Sequence, residues 1–258
     1  MLKQLIRPVN MFRNLRNPLT YLGTKFGLSK RDPLLLKLRN GVEAEVPVRL
    51  LPTFKESVFA EDYIRGFPGR VVRDLDRPIV VDVGANAGYF SLWWLSRHPG
   101  SRMVCVEPIP ENFALLKRNA ALNADKKISL VDGAVDGQNG EIVLRYNLTQ
   151  GFTTAASVLQ GVDGQSEITV KCSSLTQLMS DFGLKQIDFL KLDCEGSEYA
   201  ILYKSDDALL KTISRIALEA HFGSEPSQNK EALCDFLRSK QFQVNARPDS
   251  ALVYAWRQ

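Results

Sequence analysis

Three carboxylates crowd the end of one apolar run in this 258-residue sequence. Residues 189–198 read Phe-Leu-Lys-Leu-Asp-Cys-Glu-Gly-Ser-Glu, which sets Asp193, Glu195 and Glu198 within six residues. Like charges this close repel one another unless a cation or a proton compensates them. A carboxylate at a strand end can take a proton from a reacting group or balance a positive ligand. Asp193 is therefore the first catalytic candidate, with Glu195 beside it. Histidine is the commonest base in such chemistry, and the chain has two. His98 lies in Ser-Arg-His-Pro-Gly at a predicted helix end, where exposure and the helix dipole explain it. His221 closes the run Ile-Ala-Leu-Glu-Ala and is the next candidate, as base or as substrate ligand. Asp193, Glu195, Glu219 and His221 also make a hard donor set that would suit Mg²⁺. Spacing alone does not establish a divalent metal, and none is expected.

A second group of residues points to a ligand. Residues 81–90 read Val-Asp-Val-Gly-Ala-Asn-Ala-Gly-Tyr-Phe, a buried strand followed by a Gly-x-x-x-Gly turn. Glycines here let a ligand approach the backbone, and the next helix start offers free N–H groups to an anion. Asn86 stands where a dinucleotide fingerprint wants its second glycine. Asp82, two residues before Gly84, would repel a pyrophosphate but suits a ligand carrying an ammonium and a sulfonium. S-adenosylmethionine is such a ligand. Glu107 ends the next strand 25 residues after Asp82. An acid at about that distance commonly binds the hydroxyls of an adenosine ribose. Asp132, in Val-Asp-Gly-Ala-Val, is placed to accept from the adenine amino group.

The elements that must position these residues alternate regularly from Pro78 onward. Strand patterns at 79–84, 102–108, 128–135, 187–193 and 214–221 are interleaved with helical ones, and two final runs read as an antiparallel pair. Such alternation predicts a doubly wound, mainly parallel sheet with its ligands at the carboxyl ends of the strands. Period-2 alternation puts Phe189, Lys191 and Asp193 on one face. Lys191 then needs an anionic partner, from the acidic cluster or from Glu219. Glu198 falls in a helix's first turn, where the dipole favours a carboxylate. Trp93 and Trp94 are expected in the core. The polar, glycine-punctuated stretch 147–165 and residues 221–230 are expected to face the acceptor.

Ahead of this domain, residues 1–75 are expected to form a basic arm, a hairpin around Asn40-Gly41 and a helix over 56–67 with Phe59, Tyr63 and Phe67 on one side. Residues 1–31 carry seven basic side chains and no acid, whereas the rest of the chain carries 26 basic against 29 acidic. Leu2, Leu5, Ile6, Val9 and Phe12 fall near helical spacing, interrupted by Pro8. The arm either packs on the core or lies on an anionic membrane surface. No nucleic acid is expected, since aromatic residues do not alternate with the charges. Four scattered cysteines and no apolar stretch near the roughly 20 residues of a membrane span suit a cytoplasmic protein, peripheral to a membrane if the arm binds one.

The motifs VDVGANAGYFSL, VEPIPENFALLKRNAALN, GAV, IDFLKLDCEGSEYAIL and LEAH, in that order, resemble the FkbM family of S-adenosylmethionine-dependent methyltransferases. The similarity runs from about Leu35 to the C-terminus and is strongest over 79–221. It implies a class I methyltransferase, Rossmann-like fold over residues 76–258, with a seven-stranded sheet and helices on both faces. It also implies O-methylation of a sugar, glycan or secondary-metabolite hydroxyl. By matching position, Asp82, Gly84, Ala85, Asn86 and Gly88 would form the cofactor loop. Glu107 would hold the ribose, Asp132 and Ala134 would border the adenine, and Asp193 would stand beside the methyl donor. Cys194 departs from the aliphatic residue more usual there and is expected to pack as a small apolar side chain. A nicotinamide-dependent oxidoreductase is disfavoured by Asp82 and Asn86. A non-catalytic adenosyl-ligand-binding protein would leave the acidic cluster without a purpose.

Overall fold

In the computed structural model, residues 2–69, 71–146, 156–157, 166–223 and 225–257 are described; for residues 2–6, 146, 156 and 157 this covers the backbone alone. Helix α1 (Leu2–Asn14) runs through Pro8 and is followed by α2 (Pro18–Lys25). Strands β1 (Leu34–Lys37) and β2 (Glu43–Val46) form the expected hairpin, with Asn40 and Gly41 both at positive φ in the turn. The helix expected over 56–67 lies elsewhere. It starts at α3 (Leu51–Lys55), with Pro52 at its first turn, and widens into a π-turn at Glu56–Ala60. It stops at Glu61, whose φ is 53°. The cause is α1: Asn14 Nδ2 donates to the carbonyl of Val58, and Asn10 Nδ2 to that of Phe59 at 3.0 Å. Those carbonyls would otherwise serve a continuing helix. Phe59, Tyr63 and Phe67 all still turn inward.

The regular part follows as β3 (Ile79–Val83), α4 (Tyr89–Arg97), β4 (Arg102–Glu107), α5 (Pro110–Ala121) and β5 (Lys127–Asp132). The expected third strand does not run on to Val135. It breaks at Gly133, where an added Cβ would lie 2.8 Å from the Lys171 carbonyl oxygen. The chain then enters a second sheet of β6 (Ala134–Asp136), β7 (Gly140–Tyr146), β8 (Ala156–Ser157) and β9 (Ser166–Ser174), ordered β6-β9-β7-β8. Apart from Ala156 and Ser157, the 147–165 stretch expected to face the acceptor lies outside the described residues. Helix α6 (Leu175–Asp181), β10 (Phe189–Leu192), α7 (Glu198–Tyr203), α8 (Asp207–Lys211), β11 (Arg215–Glu219), α9 (Lys230–Ser239), β12 (Gln243–Ala246) and β13 (Leu252–Trp256) complete the chain.

The main sheet has the order β12-β13-β11-β10-β3-β4-β5. β13 runs antiparallel to both its neighbours, and the other pairings are parallel. This is the seven-stranded, mainly parallel fold that the resemblance implies. One face packs Phe189, Trp93 and Trp94 together with Phe54, Phe59 and Leu36 of the N-terminal segment. The chain ahead of β3 therefore shares a core with the sheet. The opposite face packs Leu190, Leu192, Leu202 and Leu237.

Candidate active site

Strands β3, β4, β10 and β11 all end at one cavity of about 400 Å³, within the usual range for a small-ligand site. β10 and β3 are in parallel register with Lys191 opposite Asp82. Both side chains are buried, and Lys191 Nζ lies 3.0 Å from Asp82 Oδ1. Asp82 Oδ2 accepts from Ser91 Oγ at 2.7 Å. Lys191 Nζ also donates to the Gly84 carbonyl at 2.9 Å and lies 3.6 Å from Asp193 Oδ2. Burial opposes its charge, but Asp82 and Asp193 outweigh burial and hold the ammonium up at about 12. Asp82 was expected to meet the ligand. It does not line the cavity, because its carboxylate is spent on Lys191 and Ser91. The partner of Lys191 is thus Asp82 first and Asp193 second.

The Gly84–Asn86 turn borders the cavity. Gly84 has φ of +73°, and a Cβ there would lie 1.8 Å from the Asp193 carbonyl oxygen, so only glycine lets the turn rest on the β10 end. Asn86 N donates to Glu107 Oε2 at 2.8 Å, and Ile109 N to Oε1 at 2.9 Å. Burial pushes the Glu107 carboxyl up to about 7 against these bonds. Beside Glu107, Ile109, Ala134, Val135, Ile142 and Leu144 make an apolar wall. Ala85 and Ala134 are on the cavity wall as expected. Asp132 is exposed and off it, because β5 ends one strand beyond Glu107, and Gly88 is buried against Leu116 of α5.

At the other end of the cavity the acidic cluster assembles. Asp193 Oδ2 accepts the Tyr63 hydroxyl at 2.6 Å. Burial and the Asp193 charge push that phenol well above its usual range, so it remains a donor. Asp193, Glu219 and His221 each offer an atom within 4.8 Å of the others. Glu198 is fully buried and accepts from Cys194 N at 3.1 Å and Gly196 N at 2.8 Å. Its Oε1 also lies 2.9 Å from His221 Nδ1, while His221 Nε2 is 3.4 Å from Glu195 Oε2. Burial lowers His221, yet the hydrogen bond and charge of Glu198, with Glu195 behind them, lift it to about 9. Burial likewise raises Glu195 to about 7 and raises Glu219 and Glu56. The repulsion posed by Asp193, Glu195 and Glu198 is therefore answered within the fold, by Lys191 and by a protonated His221.

Asp193, Glu195, Glu219 and His221 were all expected at one site, and all four line the cavity. The sequence places Tyr63 only on one side of a helix with Phe59 and Phe67, and Glu198 in the acidic cluster as a helix-start carboxylate. No local pattern identifies either, since each depends on a partner from a distant element of the chain. Ile142 and Leu144 lie on a strand outside those expected, though the short apolar, β-branched run Ile142-Val143-Leu144 between Glu141 and Arg145 is a strand signal.

A family model described as the methyltransferase FkbM domain matches residues 82–244. The AMB antimetabolite synthetase AmbE of Pseudomonas aeruginosa is 29% identical over 211 residues, covering 67% of this chain and 10% of that protein. The 31-O-demethyl-FK506 methyltransferase FkbM of Streptomyces tacrolimicus is 28% identical, over 55% of this chain and 65% of its own length. The 2-O-methyltransferase NoeI of Sinorhizobium fredii is 25% identical, over 52% of this chain and 60% of its own. The chain thus spans a tenth of the synthetase and under two-thirds of the other two.

Proposed function

The chain belongs to the FkbM methyltransferase family, and from that premise we propose that it transfers a methyl group from S-adenosylmethionine to a hydroxyl of a sugar, glycan or secondary metabolite. The observation that carries this reading is a single cavity with two chemically distinct ends. One end is a buried carboxylate beside an apolar wall and a glycine turn; the other is the Asp193–Glu219–His221 cluster. The donor set fits the cofactor. Glu107 Oε1 accepts from Ile109 N and, at 3.4 Å, from Asn112 Nδ2, whereas Oε2 accepts from Asn86 N and keeps acceptor capacity for a ribose hydroxyl. Ile109, Val135, Ile142 and Leu144 suit a flat apolar base. The relatives FkbM, a 31-O-demethyl-FK506 methyltransferase, and NoeI, a 2-O-methyltransferase, support the hydroxyl as acceptor.

S-adenosylmethionine, when bound, supplies an electrophilic methyl group to the acceptor oxygen, which loses its proton as it takes the methyl. The chain's task is to orient that hydroxyl and receive the proton. Asp193 is held by Tyr63 and Lys191 at the junction of the two ends. His221 carries a proton in the free protein at neutral pH and must shed it before it can act as base. A positive ligand in the cavity favours that loss. Asp193, Glu219 and His221 would also suit a divalent cation, which would acidify the acceptor hydroxyl there, and turnover in EDTA decides between the two: undiminished turnover is the expected result.

A radiolabelled methyl-transfer screen over glycans, phosphorylated sugars and hydroxylated metabolites tests the reading. With an acceptor in hand, Asp193→Asn is expected to lower turnover by ~10²–10⁴-fold at saturating cofactor. Unchanged turnover would remove Asp193 from the chemistry. The N-terminal helices carry a second part of the proposal, contact with an anionic membrane. Val9, Phe12, Leu19, Phe26 and Leu28 are all exposed there among basic side chains. Among the described residues no helix is long and apolar enough to cross a membrane.

A further inference from the structure

Residues 56–67 serve two cavities. Glu56 and Tyr63 line the one already described, while Glu61 and Arg65 line a second of about 330 Å³. The wall of the second is completed by Arg7 and Arg13 of α1 and by Arg73. Four arginines thus line a space whose only acid is Glu61 among the described lining residues. Glu61 is already committed, accepting from Arg97 Nη2 at 3.0 Å and from Asn14 Nδ2 at 3.2 Å. Arg65 is held by Asp62 at 2.7 Å. Arg7, Arg13 and Arg73 have no carboxylate within ion-pairing distance among the described residues.

Positive charge in excess of the nearby carboxylates is costly around a cavity unless an anion enters it. Guanidinium forks match carboxylate and phosphate oxygens in bidentate pairs. A single carboxylate offers one charge and two oxygens, too little for the three arginines left without a carboxylate among the described residues. A phosphate or diphosphate offers more of both. Tyr63 and Arg65 are two residues apart, so the walls of the two cavities come within about 7 Å of each other along the chain. Arg7 also acts on Glu56 across this segment, opposing the burial and neighbouring acids that raise that carboxyl.

We propose that the arginine-walled cavity is a subsite for a phosphate or diphosphate group carried by the acceptor whose hydroxyl is methylated in the first cavity. This rests on the methyltransferase reading of the first cavity. The phosphate belongs to a soluble ester or to a lipid headgroup, and the chemistry of recognition is the same for both.

The test is a calorimetric titration of the full chain with inorganic pyrophosphate at low ionic strength, with and without saturating S-adenosylhomocysteine. One saturable site is expected, with affinity unchanged by S-adenosylhomocysteine. Affinity should fall at least tenfold in Arg7→Gln/Arg73→Gln, a pair of exposed side chains whose replacement leaves the melting temperature near that of wild type. A nucleoside diphosphate and monomeric dihexanoyl phosphatidic acid then compete for the site. Stronger displacement by the first assigns a soluble phosphate, and by the second a lipid one; either supports the subsite. Absence of saturable pyrophosphate binding, full affinity in the double variant, or displacement by S-adenosylhomocysteine would overturn it. Cofactor binding is measured in the same titrations, so the subsite can fail while the reading of the first cavity stands.

Discussion

His221 is gripped at both ring nitrogens by carboxylates, and this fixes the sign of its effect on stability. The folded protein keeps the proton until about pH 9, whereas an unfolded histidine sheds it near pH 6.5. Its stabilisation is therefore complete below about pH 6.5 and is lost as pH rises through 9. The predicted cost across that window is on the order of 3 kcal/mol, read as a falling urea midpoint. His221→Gln should flatten this part of the profile, and a variant that keeps the full wild-type slope would refute the pairing. The sequence shows the types of these residues but not their partners. Asp193 and His221 were legible because each ends an apolar run. The Asp82–Lys191 pair is hidden in the sequence because the lysine belongs to a distant strand and becomes a neighbour only when β3 and β10 come into register. Glu198 looked like an ordinary helix-start acid for the same reason.

Among the elements, the turn after β3 is the most constrained. Gly84 must stay at positive φ while touching the Asp193 carbonyl, and Lys191 ties down its own carbonyl. Gly84→Ala should cost roughly 2–4 kcal/mol, from left-handed strain together with overpacking. Urea unfolding measures it, and a midpoint equal to that of wild type would show that the turn relaxes away from β10. The alternating strands and helices of the main sheet were legible because their apolar periods are long and regular. The second sheet was not, because Gly133 diverts the chain inside what reads as a single strand pattern over 128–135. The early stop at Ala60 was hidden for a different reason. It depends on amides from α1, 44 and 49 residues earlier, which take the carbonyls that the helix needs.

At the scale of the whole molecule, the N-terminal segment both completes the core and presents a basic, partly apolar surface. Met11, Leu15 and Tyr21 are buried, so deleting residues 1–31 would damage the fold as well as the surface. Point changes are the better probe. Phe12→Ser/Phe26→Ser/Leu28→Ser should at least halve co-sedimentation with anionic vesicles and leave the melting temperature close to that of wild type. Wild-type protein that ignores such vesicles at low salt would end the membrane proposal. The central claim is that the larger cavity is a methyl-donor site in which Glu107 is the chief polar contact. Its most direct test is calorimetric titration of wild type and Glu107→Ala with S-adenosylmethionine, S-adenosylhomocysteine and NAD. One site is expected for each adenosyl ligand, no heat with NAD, and at least a tenfold loss of adenosyl affinity in a Glu107→Ala protein that remains folded. Tight NAD binding, or adenosyl affinity unchanged without Glu107, would contradict that claim.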